Sequence, residues 1–394
     1  MLNAAKQVLR NWREQASLPA EAKAEAARDA RGLPAQDPGI DAAVKAALQW
    51  LKRAQDQSAS HDGGVARDFS LKTGWAVSYP ETTGYIVSTM IDCGQRFQDP
   101  DSLERARRML DWLVSIQFPE GGFMGGKINA TPRVPVTFNT GQILIGLASG
   151  VGAFGEPYLA PMNKAAAFLR DSLDADGCWR KHATPFAERG DKTYETHVSW
   201  GLFEAARHVG DQGYAEAALR QVEWAFTQQQ ANGWLANCCL NIPATPLTHT
   251  LGYALRGFME AHRFTKDEHI LRRAIKTADG LMTALRPDGF IPGRLKPDWS
   301  AAVDWSCLTG EVQIAHSWLM LYELTGQKKY RDAAKLANRY VRRAIAIDGL
   351  EDQRGGVKGS FPVDGDYGQW EYLNWAAKFM IDANLLEQDI DGRA

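Results

Sequence analysis

Apolar residues recur at i, i+3, i+4 and i+7 in six stretches of the chain, roughly 41–57, 103–117, 161–173, 214–230, 268–285 and 328–346, with charged residues on the opposite face. That spacing predicts helices with one apolar stripe. Between them lie six stretches, roughly 80–94, 138–150, 195–208, 248–262, 309–325 and 370–386, that are apolar around most of their circumference, as in Ile143-Leu144-Ile145-Gly146-Leu147-Ala148. A helix apolar all round must be covered on every side. The alternation therefore predicts six hairpins, each joining an outer amphipathic helix to an inner buried one, with little strand.

A short turn marks every hairpin. It stands at Asp62-Gly63-Gly64, Glu120-Gly121-Gly122, Asp176-Gly177-Cys178, Asn232-Gly233-Trp234, Asp288-Gly289-Phe290 and, in a weaker form, Arg354-Gly355-Gly356. The first glycines are separated by 58, 56, 56, 56 and 66 residues, so one unit is repeated six times. A single hairpin cannot bury its apolar face alone, and a ring leaves no exposed end. The expected fold is all-α, an (α/α)6 toroid over residues 39–394. Residues 1–38, rich in Ala, Arg and Glu and ending in Leu33-Pro34-Ala35-Gln36-Asp37-Pro38, are expected to form an N-terminal helical extension and linker.

Composition then removes several functions. The 45 Lys+Arg against 47 Asp+Glu give a net charge of −2, with no global attraction to nucleic acid. No run of 18 apolar residues predicts a membrane span, and the opening Met1-Leu2-Asn3-Ala4-Ala5-Lys6 lacks the apolar segment of a signal peptide, so a cytoplasmic protein is expected. The five cysteines, at 93, 178, 238, 239 and 307, are odd in number and show no C-x-x-C spacing, which argues against a disulfide framework and a zinc site. No metal or cofactor is expected, and the pattern fixes no oligomeric state.

In such a ring the outer-to-inner loops share one face, and the first turns of the inner helices line the mouth of the central cavity. These starts carry Tyr79, Glu81 and Tyr85, then Asn139 and Gln142, Tyr194, His249 and Tyr253, Asp304, Trp305 and Glu311, and finally Trp370 and Glu371. Helix capping accounts for single Thr, Asp or Asn residues there, but not for the repeated Tyr, Trp, His and Gln. Sugar rings present apolar C–H faces that stack on aromatic rings while their hydroxyls find polar partners. Trp75, Tyr79, Tyr85, Trp299, Trp305 and Trp370 are placed to do this, whereas Trp112, Trp224 and Trp318 fall inside helical apolar patterns and are assigned to packing. Basic loop residues, among them Arg67, Lys127, Arg180, Arg294 and Lys358, together with six helix N-termini, would favour an anionic ligand.

Hydrolysis of a glycosidic bond needs two carboxyl groups about 5–10 Å apart. Glu81, Asp304, Glu311 and Glu371 belong to hairpins one, five, five and six, which are neighbours once the ring closes. Elimination from a uronate would instead need a base and groups that neutralise the carboxylate. His249, Tyr194 or Tyr253, Asn139 and Arg294 could supply these. His197 and His316, deeper along their helices, are expected to be structural. The leading expectation is hydrolysis of an acidic polysaccharide or oligosaccharide by a carboxylate pair. Uronate elimination and sugar epimerisation are alternatives on the same fold, and a non-catalytic glycan-binding ring is the alternative outside catalysis.

The segments Tyr79-Pro80-Glu81-Thr82-Thr83-Gly84-Tyr85, Phe138-Asn139-Thr140-Gly141-Gln142, Asp288-Gly289-Phe290-Ile291-Pro292-Gly293-Arg294, Trp305-Ser306-Cys307-Leu308-Thr309-Gly310 and Gly355-Gly356-Val357-Lys358-Gly359-Ser360-Phe361-Pro362 resemble those of bacterial proteins found among polysaccharide-biosynthesis genes. The fold relatives of that group are the six-hairpin glycosidases and the terpenoid-cyclase-like toroids. The resemblance spans residues 40–388 and implies a carbohydrate context, in exopolysaccharide biosynthesis, with these positions in the cavity. Gln117-Phe118-Pro119-Glu120-Gly121-Gly122-Phe123 is also similar to the Q-x-x-D-G-x-W repeat of squalene cyclases. A cyclase of that kind needs an acidic cluster, and the chain holds no D-x-D-D or D-D-x-x-D run. Lanthionine-type cyclases share the toroid, but the chain lacks their Cys-His-Gly element. An N-acylhexosamine epimerase would use paired histidines, for which His249 and His316 are the candidates.

Overall fold

The computed structural model describes residues 17–210 and 212–393. Its outer helices are α2 (Ile40–Asp56), α4 (Pro100–Ile116), α6 (Leu159–Ser172), α8 (Tyr214–Thr227), α10 (Glu268–Thr283) and α12 (Lys328–Ala344). Its inner helices are α3 (Pro80–Arg96), α5 (Thr137–Phe154), α7 (Thr196–Val209), α9 (Thr248–Thr265), α11 (Leu308–Thr325) and α13 (Asn374–Arg393). Each inner helix packs on the next, and α13 returns to α3, so the inner ring is closed. The protein is an (α/α)6 toroid. Each element begins within four residues of its sequence-based position. Among the described residues no helix is long and apolar enough to cross a membrane.

Ring closure rests on the glycine turns. All six first glycines have positive φ, from 84° at Gly355 to 103° at Gly121, a region that side chains with a Cβ rarely adopt. In four turns the preceding Asp or Asn fixes the bend by accepting a hydrogen bond from the amide two residues on, as Asp62 does from the Gly64 N–H and Asp288 from the Phe290 N–H. The turn then sits on the backbone of the following outer helix. A Cβ added at Gly121, Gly177, Gly233 or Gly289 would come within 2.2–2.5 Å of the carbonyl oxygens of Lys164, Arg220, Lys276 and Leu336. The sixth turn closes the circle, because a Cβ at Gly355 would lie 2.0 Å from the carbonyl oxygen of Ala46 on α2.

Among the described residues strand is confined to loops on the mouth face. β1 (Asp68–Ser70) pairs antiparallel with both β2 (Gly74–Trp75) and β5 (Glu371–Leu373), and β3 (Ser306–Cys307) pairs with β4 (Ser360–Phe361). The first pairing joins hairpins one and six. It also moves the start of α13 to Asn374, later than the expected 370, since residues 371–373 are spent on β5.

Of the N-terminal segment, residues 1–16 lie outside the described residues. α1 (Ala20–Asp29) docks on the sixth hairpin's loop through Glu25 and Asp29, which both bind Lys358. Asp37 continues the clasp with a two-pronged ion pair to Arg342, 2.7 Å at its shortest.

Candidate active site

The central chamber, of about 220 Å³, opens on the loop face. Its floor is a hydroxyl pair: Tyr85 of α3 and Tyr253 of α9 meet at 3.2 Å. Helices one and four of a six-membered inner ring stand opposite each other, so this contact spans the ring. One helical turn nearer the mouth, the same two helices carry Glu81 and His249. The two residues therefore face one another above the tyrosine floor.

Glu81 is held by its neighbours. Oε2 accepts from Asn139 Nδ2 at 2.8 Å and from the Tyr79 hydroxyl at 3.1 Å. Burial raises its carboxyl to about 7, against the Tyr79 hydrogen bond and the Arg67 charge, which pull it down. A carboxyl in that range is a proton donor near neutrality. His249 is the opposite case. Burial holds it down to about 4, with the Gln313 bond opposing, so the ring is neutral. Its Nδ1 lies 2.8 Å from Gln313 Oε1, and an amide oxygen only accepts, so Nδ1 carries the hydrogen and Nε2 keeps its lone pair.

The walls are aromatic. Tyr194 and Phe138 meet edge to face at 5.1 Å, and Phe138 meets Tyr253 at 5.2 Å. Trp375 donates its indole N–H to the Tyr367 hydroxyl at 2.8 Å, and the Arg67 guanidinium lies 5.2 Å from the Trp375 ring centroid. Arg67 Nη1 is bound by Asp68 at 2.6 Å and Glu371 at 2.8 Å, so this cation is shared between two carboxylates. Phe186, Ala187 and Leu240 form the lip, with Phe186 exposed.

Seven of the residues singled out from sequence meet here: Tyr79, Glu81, Tyr85, Asn139, Tyr194, His249 and Tyr253. Ten do not line the chamber. Glu311 is wholly buried and ties hairpin five together, accepting from the Ile291 amide at 2.7 Å and the Ser306 hydroxyl at 2.6 Å. Asp304 is exposed on its loop, and Glu371 stands behind Arg67. Gln142 is buried, with Oε1 on His197 Nδ1 at 2.6 Å. Trp75 packs between Trp50 and Phe69 and donates to Asp352 at 3.0 Å. Trp299 packs on Trp234 and donates to the Asn232 carbonyl at 3.1 Å, while Trp305 lies against Gly293. Trp370 is buried under Lys72. Arg294 donates to the Thr245 carbonyl at 2.9 Å, and Lys358 is 1% exposed in its clasp with Glu25 and Asp29. The physical reason is common to these ten. They sit on loop segments that pack on the ring's rim, or are turned into contacts between neighbouring helices.

Arg67, named among the basic loop residues, and Thr82 and Phe138, which fall in segments expected in the cavity, also line the chamber, as do Phe186, Thr250, Tyr367 and Trp375, which were given no role. For Trp375 the signal existed, since β5 shifts the helix start so that Trp375 rather than Trp370 occupies the first turn of α13. Tyr367 lies in an irregular loop and has no periodic signature.

No family model matches the chain, and no curated protein does. Solved structures do. An unsaturated glucuronyl hydrolase specific for heparin superposes with a TM-score of 0.73 at 15% identity, covering 91% of this chain and 99% of its own. The unsaturated glucuronyl hydrolase of Bacillus sp. GL1, responsible for the degradation of glycosaminoglycan, gives 0.70 at 14% identity, covering 88% and 96%. The cellobiose 2-epimerase of Spirochaeta thermophila gives 0.71 at 16% identity, covering 89% and 94%. The chain thus has the six-hairpin toroid fold that these enzymes share.

Proposed function

We propose that the protein is a carbohydrate-active enzyme that hydrolyses a terminal residue of an acidic oligosaccharide or polysaccharide in this chamber. The observation that carries this is the placement of a buried carboxyl, Glu81, which burial raises to about 7, opposite the imidazole of His249 above an aromatic floor. Glu81 gives its proton to the glycosidic oxygen as the C–O bond breaks. Water adds to the anomeric carbon from the other side, and its proton passes to His249 Nε2. The carboxylate pair expected from sequence is replaced by a carboxyl–imidazole pair, because Glu81 is the one carboxyl lining the chamber among the described residues.

The chamber's size supports action at a chain end, since its volume lies below the roughly 300–1,000 Å³ of common ligand pockets. Arg67 is the group that would meet a substrate carboxylate, and the glucuronyl hydrolases of the same fold lend support to an acidic sugar. A second chemistry, epimerisation, is favoured by the same opposed placement, since inverting a carbon needs proton exchange on both faces. The cellobiose 2-epimerases of the same fold agree with it. An intracellular role in polysaccharide assembly belongs to the proposal as well.

The test is incubation with acidic and neutral oligosaccharides in D2O. New reducing ends without ultraviolet absorbance support hydrolysis. Deuterium on carbon without new ends replaces it by epimerisation, and new ends with the absorbance of a conjugated uronate replace it by elimination. Binding with no conversion leaves a glycan-binding ring and overturns the enzyme.

A further inference from the structure

The ring has a second cavity on the face opposite the chamber, with a volume of about 590 Å³ against about 220 Å³. It is enclosed by the C-terminal parts of the inner helices and reaches inward to Trp200, Arg256, His316 and Lys378. The Lys378 ammonium lies 5.5 Å from the centroid of the Tyr85 ring, so a single layer of side chains separates the two cavities.

Basic residues at the rim have an ordinary explanation. Arg96 and Arg393 end α3 and α13, and Lys266 caps α9, where cations offset the helix dipole. Arg256 and Lys378 do not fit it. Arg256 is in the middle of α9, and Lys378 is in the second turn of α13, close to the end where the dipole disfavours a cation. Lys378 is also 1% exposed, which an ammonium tolerates only with partners.

The balance of charge in the cavity indicates which ligand would suit it. Asp382 uses Oδ1 on the Thr89 hydroxyl at 2.7 Å and Oδ2 on Lys378. Asp389 uses both oxygens on Arg96, at 2.7 and 2.6 Å. Glu260, behind the wall, accepts from Arg256 at 2.8 Å and from Arg263 at 3.4 Å, and Glu323 accepts from Arg393 at 2.8 Å. The remaining carboxyl, Asp92, is pushed up by burial and by Asp382. On the donor side, Lys378 has three N–H bonds and one carboxylate partner. Arg256 uses Nε and one terminal nitrogen, the latter on His316 Nδ1 at 2.9 Å. Among the described residues that line the cavity six cations stand against four carboxylates, so positive charge is in excess, and Lys378 and Arg256 keep N–H groups available to a further acceptor.

We propose that this lower cavity is a second ligand site, for a small anion whose phosphate or carboxylate is carried on a compact ring. Lys378, Arg256 and Lys266 receive the charge, Arg256 being held over the Trp200 ring at 4.3 Å, and Met320, Leu324 and Leu386 cover the apolar body.

Titration calorimetry with glucose 1-phosphate, glucuronate and, as the neutral control, glucose tests this. The expected result is binding of one or both anions at least roughly tenfold tighter than glucose, weakening as salt is raised. The phosphate and carboxylate arms decide which anion the site takes. Lys378→Met should weaken binding by about tenfold or more, and the exposed Lys266→Gln, which leaves the core untouched, by a few-fold. Arg67→Gln, in the upper chamber, should leave the component of binding that depends on Lys378 unchanged. Heat from neither anion, equal binding of glucose, or loss of binding in Arg67→Gln but not in the Lys378 and Lys266 variants would overturn the proposal.

Discussion

The hydroxyls of Tyr85 and Tyr253 lie 3.2 Å apart, joining two helices that stand on opposite sides of the inner ring. The contact closes the chamber from below and places Glu81 and His249, each four residues earlier, on facing walls. The chemistry proposed for the protein depends on that opposition.

Glu81→Gln removes the proton donor and nearly preserves the shape. Turnover on an active oligosaccharide is expected to fall by about 10²–10⁴-fold with binding retained, the usual contribution of a positioned general acid. Steady-state kinetics with a parallel binding titration checks this. Unchanged kcat would remove Glu81 from the mechanism.

The pH profile follows from the two shifted groups. The donor must be protonated, so activity declines as pH rises through about 7, and His249 must be neutral, so it declines as pH falls through about 4. Between those limits kcat/KM should be flat. Tyr79→Phe deletes a hydrogen bond that lowers the Glu81 value, so its alkaline limb should move to higher pH. A limb that stays fixed or moves down would show that Tyr79 does not tune Glu81.

Lys358 holds the N-terminal helix rather than a substrate. Lys358→Met leaves Glu25 and Asp29, both buried, without their common partner, and about 3–5 kcal/mol of stability should be lost, as when a buried pair is broken from one side. Deleting α1 should destabilise comparably, because the buried ammonium then loses both carboxylates. Since the same loop carries Tyr367, activity should fall as well. Denaturant unfolding with the activity assay reads both.

Gly355→Ala tests the closure of the ring. The new Cβ combines a φ of 84° with a carbonyl oxygen 2.0 Å away. Gly32→Ala is the control, since its φ is 80° with nothing within 4 Å of the added atom. The control should cost about 1–2 kcal/mol, the strain of the left-handed region alone. The ring-closing change should cost several times more, visible as a larger drop in melting temperature. Equal losses would mean that the turn's contact with α2 contributes little.

The sequence alone determined the repeat, and the repeat determined the fold. Apolar periodicity separates outer from inner helices because burial on one side and burial on all sides leave different patterns, and the glycines recur because each turn needs positive φ against a backbone neighbour. It also brought Glu81, His249 and four tyrosines to the right end of their helices, since a helix start is a local feature. Which of those starts reach the cavity was decided by tertiary structure. Glu311 and Glu81 share the same kind of position, yet one turns to the Ile291 amide and the other to open space, a difference of side-chain direction that periodicity does not encode. Tyr367 enters from an irregular loop, and Trp375 displaces Trp370 because pairing of β5 with β1, about 300 residues apart in the chain, resets where α13 begins. Long-range pairing and side-chain direction are set by the whole ring, and the chamber is made from both.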